Sequence, residues 1–246
     1  MTKILPLSLL TAAILAPSAF ANEEVNPLEV SAEAGVLITT GNTESSSFFG
    51  NITVIQNLEE WKNTYTFDIL KKDNEIVNAA GQKETETTDD RFTISAQGDY
   101  KLGPKSALFV FGSYTNDEFG AYEKYTTVAA GYSFRALEKD NMHLDINVGP
   151  GYTKAETQAG ETEDGFVGRA SGAYNWKISK SATFIQNVSL EYADFNTRTI
   201  TETALKATLT DMMKMKVSYK TITNSDVAPG LDKTDTETAV TLVVNF

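Results

Sequence analysis

The chain has 246 residues, with 33 Asp and Glu against 21 Lys and Arg, one His and no Cys, for a formal net charge of −12 at pH 7. Acidity of this size argues against nucleic acid and against anionic lipid surfaces as partners, because both would repel it. Without Cys there can be no disulfide, no thiolate metal site and no lipidated cysteine anchor.

Residues 1–21 read as a secretory signal peptide. Lys3 gives the positive start, "ILPLSLLTAAILAP" the apolar stretch, and Ala19, Phe20 and Ala21 the small-x-small cleavage pattern. Cleavage there predicts a single mature domain over residues 22–246. Beyond the leader, no segment offers the ~18 consecutive apolar residues of a membrane helix, and amphipathic helical stripes are nearly absent.

Alternation with a period of two recurs instead, which predicts strands with a different environment on each face. In chain order the strands fall at 28–39, 44–57, 60–71, 88–101, 106–116, 122–136, 142–154, 164–178, 181–193, 200–210, 212–223 and 234–246. In the sixth, Val128, Ala130, Tyr132 and Phe134 oppose Thr127, Ala129, Gly131 and Ser133. In the seventh, "LDINVGPGY" sets Leu144, Ile146, Val148, Pro150 and Tyr152 against Asp145, Asn147, Gly149 and Gly151. In the eleventh, Met213, Met215, Val217 and Tyr219 oppose Lys214, Lys216, Ser218 and Lys220. The last ends on an apolar row of Val240, Leu242, Val244 and Phe246.

A soluble β-sandwich also alternates. Here, however, the non-apolar face is rich in Gly, Ala, Ser, Thr and Asn, which suits a confined, hydrated interior better than an open surface. Aromatics gather near the ends of apolar rows, at Tyr100, Tyr122, Phe134, Tyr152, Tyr192 and Phe246, as in girdles at a lipid boundary. Even-numbered joins such as "GPK" and "SKS" are tight; most odd-numbered joins, such as "KKDNEIVNAAGQKETETTDD", are longer and hydrophilic. These features predict an all-β, antiparallel up-and-down transmembrane β-barrel of about twelve strands in a Gram-negative outer membrane, with both termini on the periplasmic side. Its partners would be outer-membrane lipid and the barrel assembly machinery, the latter reading Val240, Leu242, Val244 and Phe246 as its C-terminal signal.

Four stretches carry a family resemblance: "TTGNTESSSFFGNI" (39–52), "DEFGAYEKYTTVAAGYSF" (117–134), "LDINVGPGYT" (144–153) and "SDVAPGLDKTDTETAVTLVVNF" (225–246). Together they resemble the YdiY-like family, a domain of unknown function labelled as salt-induced outer membrane proteins. The resemblance covers essentially the whole mature chain. It implies a location and a barrel, but brings no activity and no catalytic residues.

The residues themselves point to no catalytic, cofactor or metal site. The lone His143 has polar parity but lies beside a tight turn, and there is no HExxH, GxSxG or phosphate loop. The acidic stretches "DKTDTE" (232–237) and "TTDD" (87–90) lack EF-hand spacing and read as solvated loops rather than Ca²⁺ sites. Polar-parity charges are more informative. Glu33, Asp68, Arg91, Asp99, Glu123, Asp145, Arg169 and Glu191 would face the lumen, as would Lys206, Lys214, Lys216 and Lys220 on strands ten and eleven, and Asp235 and Glu237 on strand twelve. On a closed barrel Glu33 neighbours that last strand, so Lys206, Lys214, Lys216 and Lys220 would meet Glu33, Asp235 and Glu237 along one wall. Two functions are open: a narrow, non-enzymatic channel for ions or small solutes linked to osmotic or salt stress, and a structural or interaction barrel whose lumen such ion pairs close. A lipid-modifying enzyme is a third reading, resting on His143 alone.

Overall fold

The computed structural model describes residues 27–39, 44–77 and 82–246. The leader and the Thr40–Thr43 part of the family motif lie outside the described residues. Among the described residues there are twelve strands: β1 (Leu28–Thr39), β2 (Glu44–Asn57), β3 (Trp61–Val77), β4 (Lys83–Gly103), β5 (Ser106–Asp117), β6 (Tyr122–Lys139), β7 (Met142–Thr157), β8 (Thr162–Lys177), β9 (Ala182–Ala193), β10 (Thr197–Thr208), β11 (Met213–Asn224) and β12 (Thr234–Asn245). Each pairs antiparallel with its sequence neighbours, and β12 returns to β1 to close the barrel. Closure leaves no strand edge for lipid to desolvate. The seam runs from Ser31 opposite Asn245 to Ala34 opposite Leu242, and the Phe246 N–H donates to the Val30 carbonyl at 2.9 Å.

Several strands outrun their expected ends. The hydrophilic stretch between β3 and β4 was expected to be loop, yet β3 continues to Val77 and β4 begins at Lys83. Lys71 pairs with Asp90 at 3.6 Å, and the Thr87 hydroxyl donates to Asp73 at 2.8 Å across this extension. Likewise β7 reaches Thr157, β8 starts at Thr162 and β10 starts at Thr197. Above the hydrocarbon a ladder needs only its backbone hydrogen bonds and polar cross-strand pairs, so the apolar alternation that marks a strand disappears where the strand persists.

The two faces divide as the alternation requires. Val110, Val128, Val148 and Val240 point outward, with Val110 61% and Val240 60% exposed, an apolar surface that hydrocarbon rather than water accommodates. Aromatics border that band. Trp61 and Tyr100 pack together at the short-turn end, with ring centroids 5.3 Å apart, while Tyr152 and Phe166 meet edge to face at the long-loop end. Tyr122 does not join them. A register shift between Tyr122 and Lys124 displaces the parity by one, and Tyr122 is buried at the long-loop end of the barrel.

One stretch of wall is unusually tight. Paired positions between β6 and β7 pass from Ala129–Gly151 to Tyr132–Val148, around Pro150, which has no N–H to give to a ladder. A Cβ on Gly149 would sit 2.1 Å from the Ala130 carbonyl oxygen, and one on Gly131 2.2 Å from that of Val148. Only glycine permits this approach, which explains why "GPGY" interrupts an otherwise regular strand. Gly149 is in register with Arg169 of β8.

Candidate functional site

The interior is built in three levels. At the long-loop end the lumen is capped. The segment after β5 folds back on itself, the Asp117 carboxylate accepting the Gly120 N–H at 2.8 Å, while the Gln158 side-chain amide donates to the carbonyls of Asp117 and Gly120, each at 3.0 Å. This seats Ala121 and Tyr122 over the opening, where they cluster with Tyr125 and Ala155, and Phe195 and Val227 pack on them. Asn196 ties the cap together. It donates to Asn224 at 2.9 Å and accepts the backbone N–H groups of Ser225 at 3.0 Å and Asp226 at 3.3 Å. Beneath the cap the space between Asp117, Tyr122, Arg198, Asn224 and Asp235 is about 10 Å³, room for a single water at most.

Below that neck the lumen opens into a cavity of about 250 Å³. Its wall carries Thr93, Ser95, Ser113, Thr115 and Ser189, the charged side chains Asp68, Arg91, Arg169, Glu191, Arg198 and Lys220, the rings of Phe111 and Tyr125, and the aliphatic Ile200 and Ile222. The arginines are fixed by different means. Arg91 donates to Glu237 at 2.6 Å, reaching from β4 to β12, and lies 3.8 Å from Asp117. Arg169 pairs with Glu191 at 3.3 Å and rests 3.7 Å above the Phe111 ring. Glu191 also accepts the Thr127 hydroxyl at 2.9 Å. Arg198 lies 4.3 Å over the Tyr125 ring, and its Nε is buried without a hydrogen-bond partner.

Towards the short turns the interior charges gather around one lysine. Lys216 Nζ lies 3.2 Å from Glu33 and 2.6 Å from Glu202. Glu33 also accepts the Thr241 hydroxyl, and Glu202 accepts the Asn187 amide at 3.0 Å. Phe109, Ala204 and Val243 point inward and are almost wholly buried. Three strands, β1, β10 and β11, are thus held by one buried cation.

The structure therefore sorts the charges picked out by parity. Glu33 and Lys216 come together. Glu237, in register with Lys220, reaches across to Arg91 instead. Asp235 borders the neck. Lys206, Lys214 and Lys220 face inward, and none has a carboxylate within 4 Å among the described residues. Three charged participants are absent from the parity reading, and Asp117 is one of them, lying one residue past the expected end of the fifth strand. Glu202 shares its parity with Lys206 and could have been found from that. Arg198 fell outside a tenth strand drawn from residue 200. His143 is in register with Glu138 and Asn175 near a short turn, away from the cavity. Val240, Leu242, Val244 and Phe246 line the outward side of the closing strand; Val243 between them is inside. Among the described residues, no three His, Cys, Asp or Glu side chains are grouped to hold a metal ion.

A closed antiparallel barrel, greasy outside and polar within, with aromatic borders, is an outer-membrane β-barrel fold. The chain belongs to the family described as "Protein of unknown function, DUF481", whose profile matches residues 32–246. The "Uncharacterized protein YdiY" of Escherichia coli (strain K12) is 27% identical over 219 residues, covering 88% of this chain and 82% of the relative. Among solved structures, the COG4313 outer membrane channel from Pseudomonas putida F1 superposes with a TM-score of 0.52 at 8% identity, covering 89% of this chain and 94% of that one. The NanC porin aligns over 89% of this chain and 97% of its own, with a TM-score of 0.48 and 12% identity.

Proposed function

We propose that the protein is a non-enzymatic, narrow channel of a Gram-negative outer membrane, closed in this conformation by its extracellular cap and conducting small hydrophilic solutes when the cap moves. The observation that carries this reading is the cavity of about 250 Å³ within the barrel, lined by charged and hydroxyl side chains, which lies beneath the space of about 10 Å³ under the cap. A packed structural barrel has no reason to keep such a void open, because unfilled interior space forfeits packing energy. The cap is held by a few hydrogen bonds and aromatic contacts, weak enough to open and close. The salt-induced label of the family the chain resembles concerns expression, and we add to the proposal only that the channel is made under osmotic or salt stress.

The test is single-channel recording in planar bilayers with the native protein and with Asn196→Ala, which removes the hub of the cap. The native protein should give brief, discrete openings, and Asn196→Ala should lengthen them. Silence from both proteins, each verified as folded, would refute the channel. The second reading, a structural or interaction barrel with a sealed lumen, is favoured by the Lys216–Glu33–Glu202 network, which ties three strands together across the periplasmic half. It predicts that silence, with conduction appearing only when Lys216 is replaced.

A further inference from the structure

The four cations lining the cavity outnumber its two lining carboxylates, Asp68 and Glu191; Asp117 and Asp235 border Arg198 at the neck, neither within 4 Å of its guanidinium. Of the four cations, Arg91 and Arg169 are paired with acids, whereas Arg198 and Lys220 have no carboxylate within 4 Å among the described residues. Distance along the sheet does not explain this. Glu191 is in register with Arg198, and Glu202 and Glu237 flank Lys220 in register on either side. Each of these acids is committed elsewhere: Glu191 to Arg169 and Thr127, Glu202 to Lys216 and Asn187, Glu237 to Arg91; Asp68, the cavity's other carboxylate, accepts the Asn51 amide at 2.8 Å and has neither cation within 4 Å. Arg198 also lies over the Tyr125 ring, a contact that favours the guanidinium without neutralising it. Its Nε has lost water and gained no acceptor. Unpaired cations in a confined space are costly, and an anion in the cavity removes that cost.

We propose that the cavity is the binding site of a small oxyanion, a carboxylate or a phosphate, seated between Arg198 and Lys220. This deepens the channel reading by naming the class of solute, and rests on it for the route by which the anion arrives. The arginine fork and the lysine point charge suit a carboxylate or phosphate edge. The Ser and Thr hydroxyls around the wall supply donors for the remaining oxygens.

The experiment is calorimetric titration of the native barrel, in zwitterionic micelles at low salt, with sodium succinate and separately with sodium phosphate. At least one should bind saturably, and which one does separates carboxylate from phosphate recognition. Arg198→Gln and Lys220→Gln should each weaken binding about tenfold or more, the loss expected for one charge-assisted contact. Lys214→Gln, a lumen lysine at the short-turn end outside the cavity, should bind like the native protein. Should Arg198→Gln lose its heat-modifiable folded band on gels, Lys220→Gln decides. No saturable binding of either anion by the native protein, or equal weakening by Lys214→Gln, overturns the proposal. A barrel that conducts but binds neither anion sinks this site and leaves the channel. One that binds an anion yet never conducts, even with Asn196→Ala, sinks the channel and leaves the site.

Discussion

Replacing Lys216 with Gln strips two acids of their cation at once. Lys216 Nζ lies 3.2 Å from Glu33 and 2.6 Å from Glu202, and the Lys216 and Glu33 side chains are only 12% and 7% exposed, so solvent screens the group little. At an effective dielectric of about 20, the two contacts are worth about 5 and about 6 kcal/mol of gross Coulomb energy, most of it offset by the cost of burying the charges. Removing one partner from a buried pair exposes that cost, so Lys216→Gln should lose about 3 kcal/mol of stability. Lys214→Gln, two residues earlier on the same face and without an acid partner, should change stability by about 0.5 kcal/mol or less. The assay is urea unfolding from lipid vesicles, followed through the fluorescence of Trp61 and Trp176. A Glu33→Gln and Lys216→Gln double variant should be less unstable than the two single losses summed, by about 1 kcal/mol or more, because the second change removes a stranded charge. Equal loss from Lys214→Gln and Lys216→Gln would refute the view that one buried cation binds β1, β10 and β11 together.

Gly149→Ala should destabilise the barrel by about 1–3 kcal/mol or stop it assembling, since the new methyl meets the Ala130 backbone, whereas Gly168→Ala, with nothing within 4 Å, should be tolerated; the folded fraction on unheated gels tells them apart. Val110→Arg puts a charge on the outward face and should lower stability in bilayers by about 2–4 kcal/mol if Val110 lies near the membrane midplane, an effect read from the same urea titrations. Removing Phe246 deletes the last outward ring and its hydrogen bond to Val30, and should cut the amount of folded barrel recovered from membranes without blocking export.

How much of this the sequence carried depends on which force acts at each position. Where hydrocarbon lies on one side and a hydrated lumen on the other, every second residue reports its surroundings, and strands such as Met213–Asn224 and Thr234–Asn245 were expected within a residue or two. Outside the lipid that contrast vanishes, so the hydrophilic ends of β3, β4, β7 and β8 resembled loops. Parity also fails at a bulge: Tyr122, expected in an outer girdle, belongs to the cap because one residue is inserted beside it. The interior pairs were the hardest to foresee. Neighbouring strands put Glu237 beside Lys220, but barrel curvature and tilt bring Arg91 to Glu237 from across the lumen, and adjacency in sequence carries no trace of that. Arg198, the residue on which the anion site turns, sits in the polar first residues of β10, where no apolar alternation marks the strand.

The division between a lipid face and an enclosed lumen underlies every step above, and nitroxide labels placed one at a time along β5 test it most directly. In bilayers, labels at Leu108 and Val110 should collide freely with dissolved oxygen, while labels at Phe109, Phe111 and Ser113 should be shielded from it, giving a period of two across the strand. Uniform oxygen access along the strand, or lipid-free protein with the Leu108 and Val110 positions shielded against a second sheet, would contradict the account.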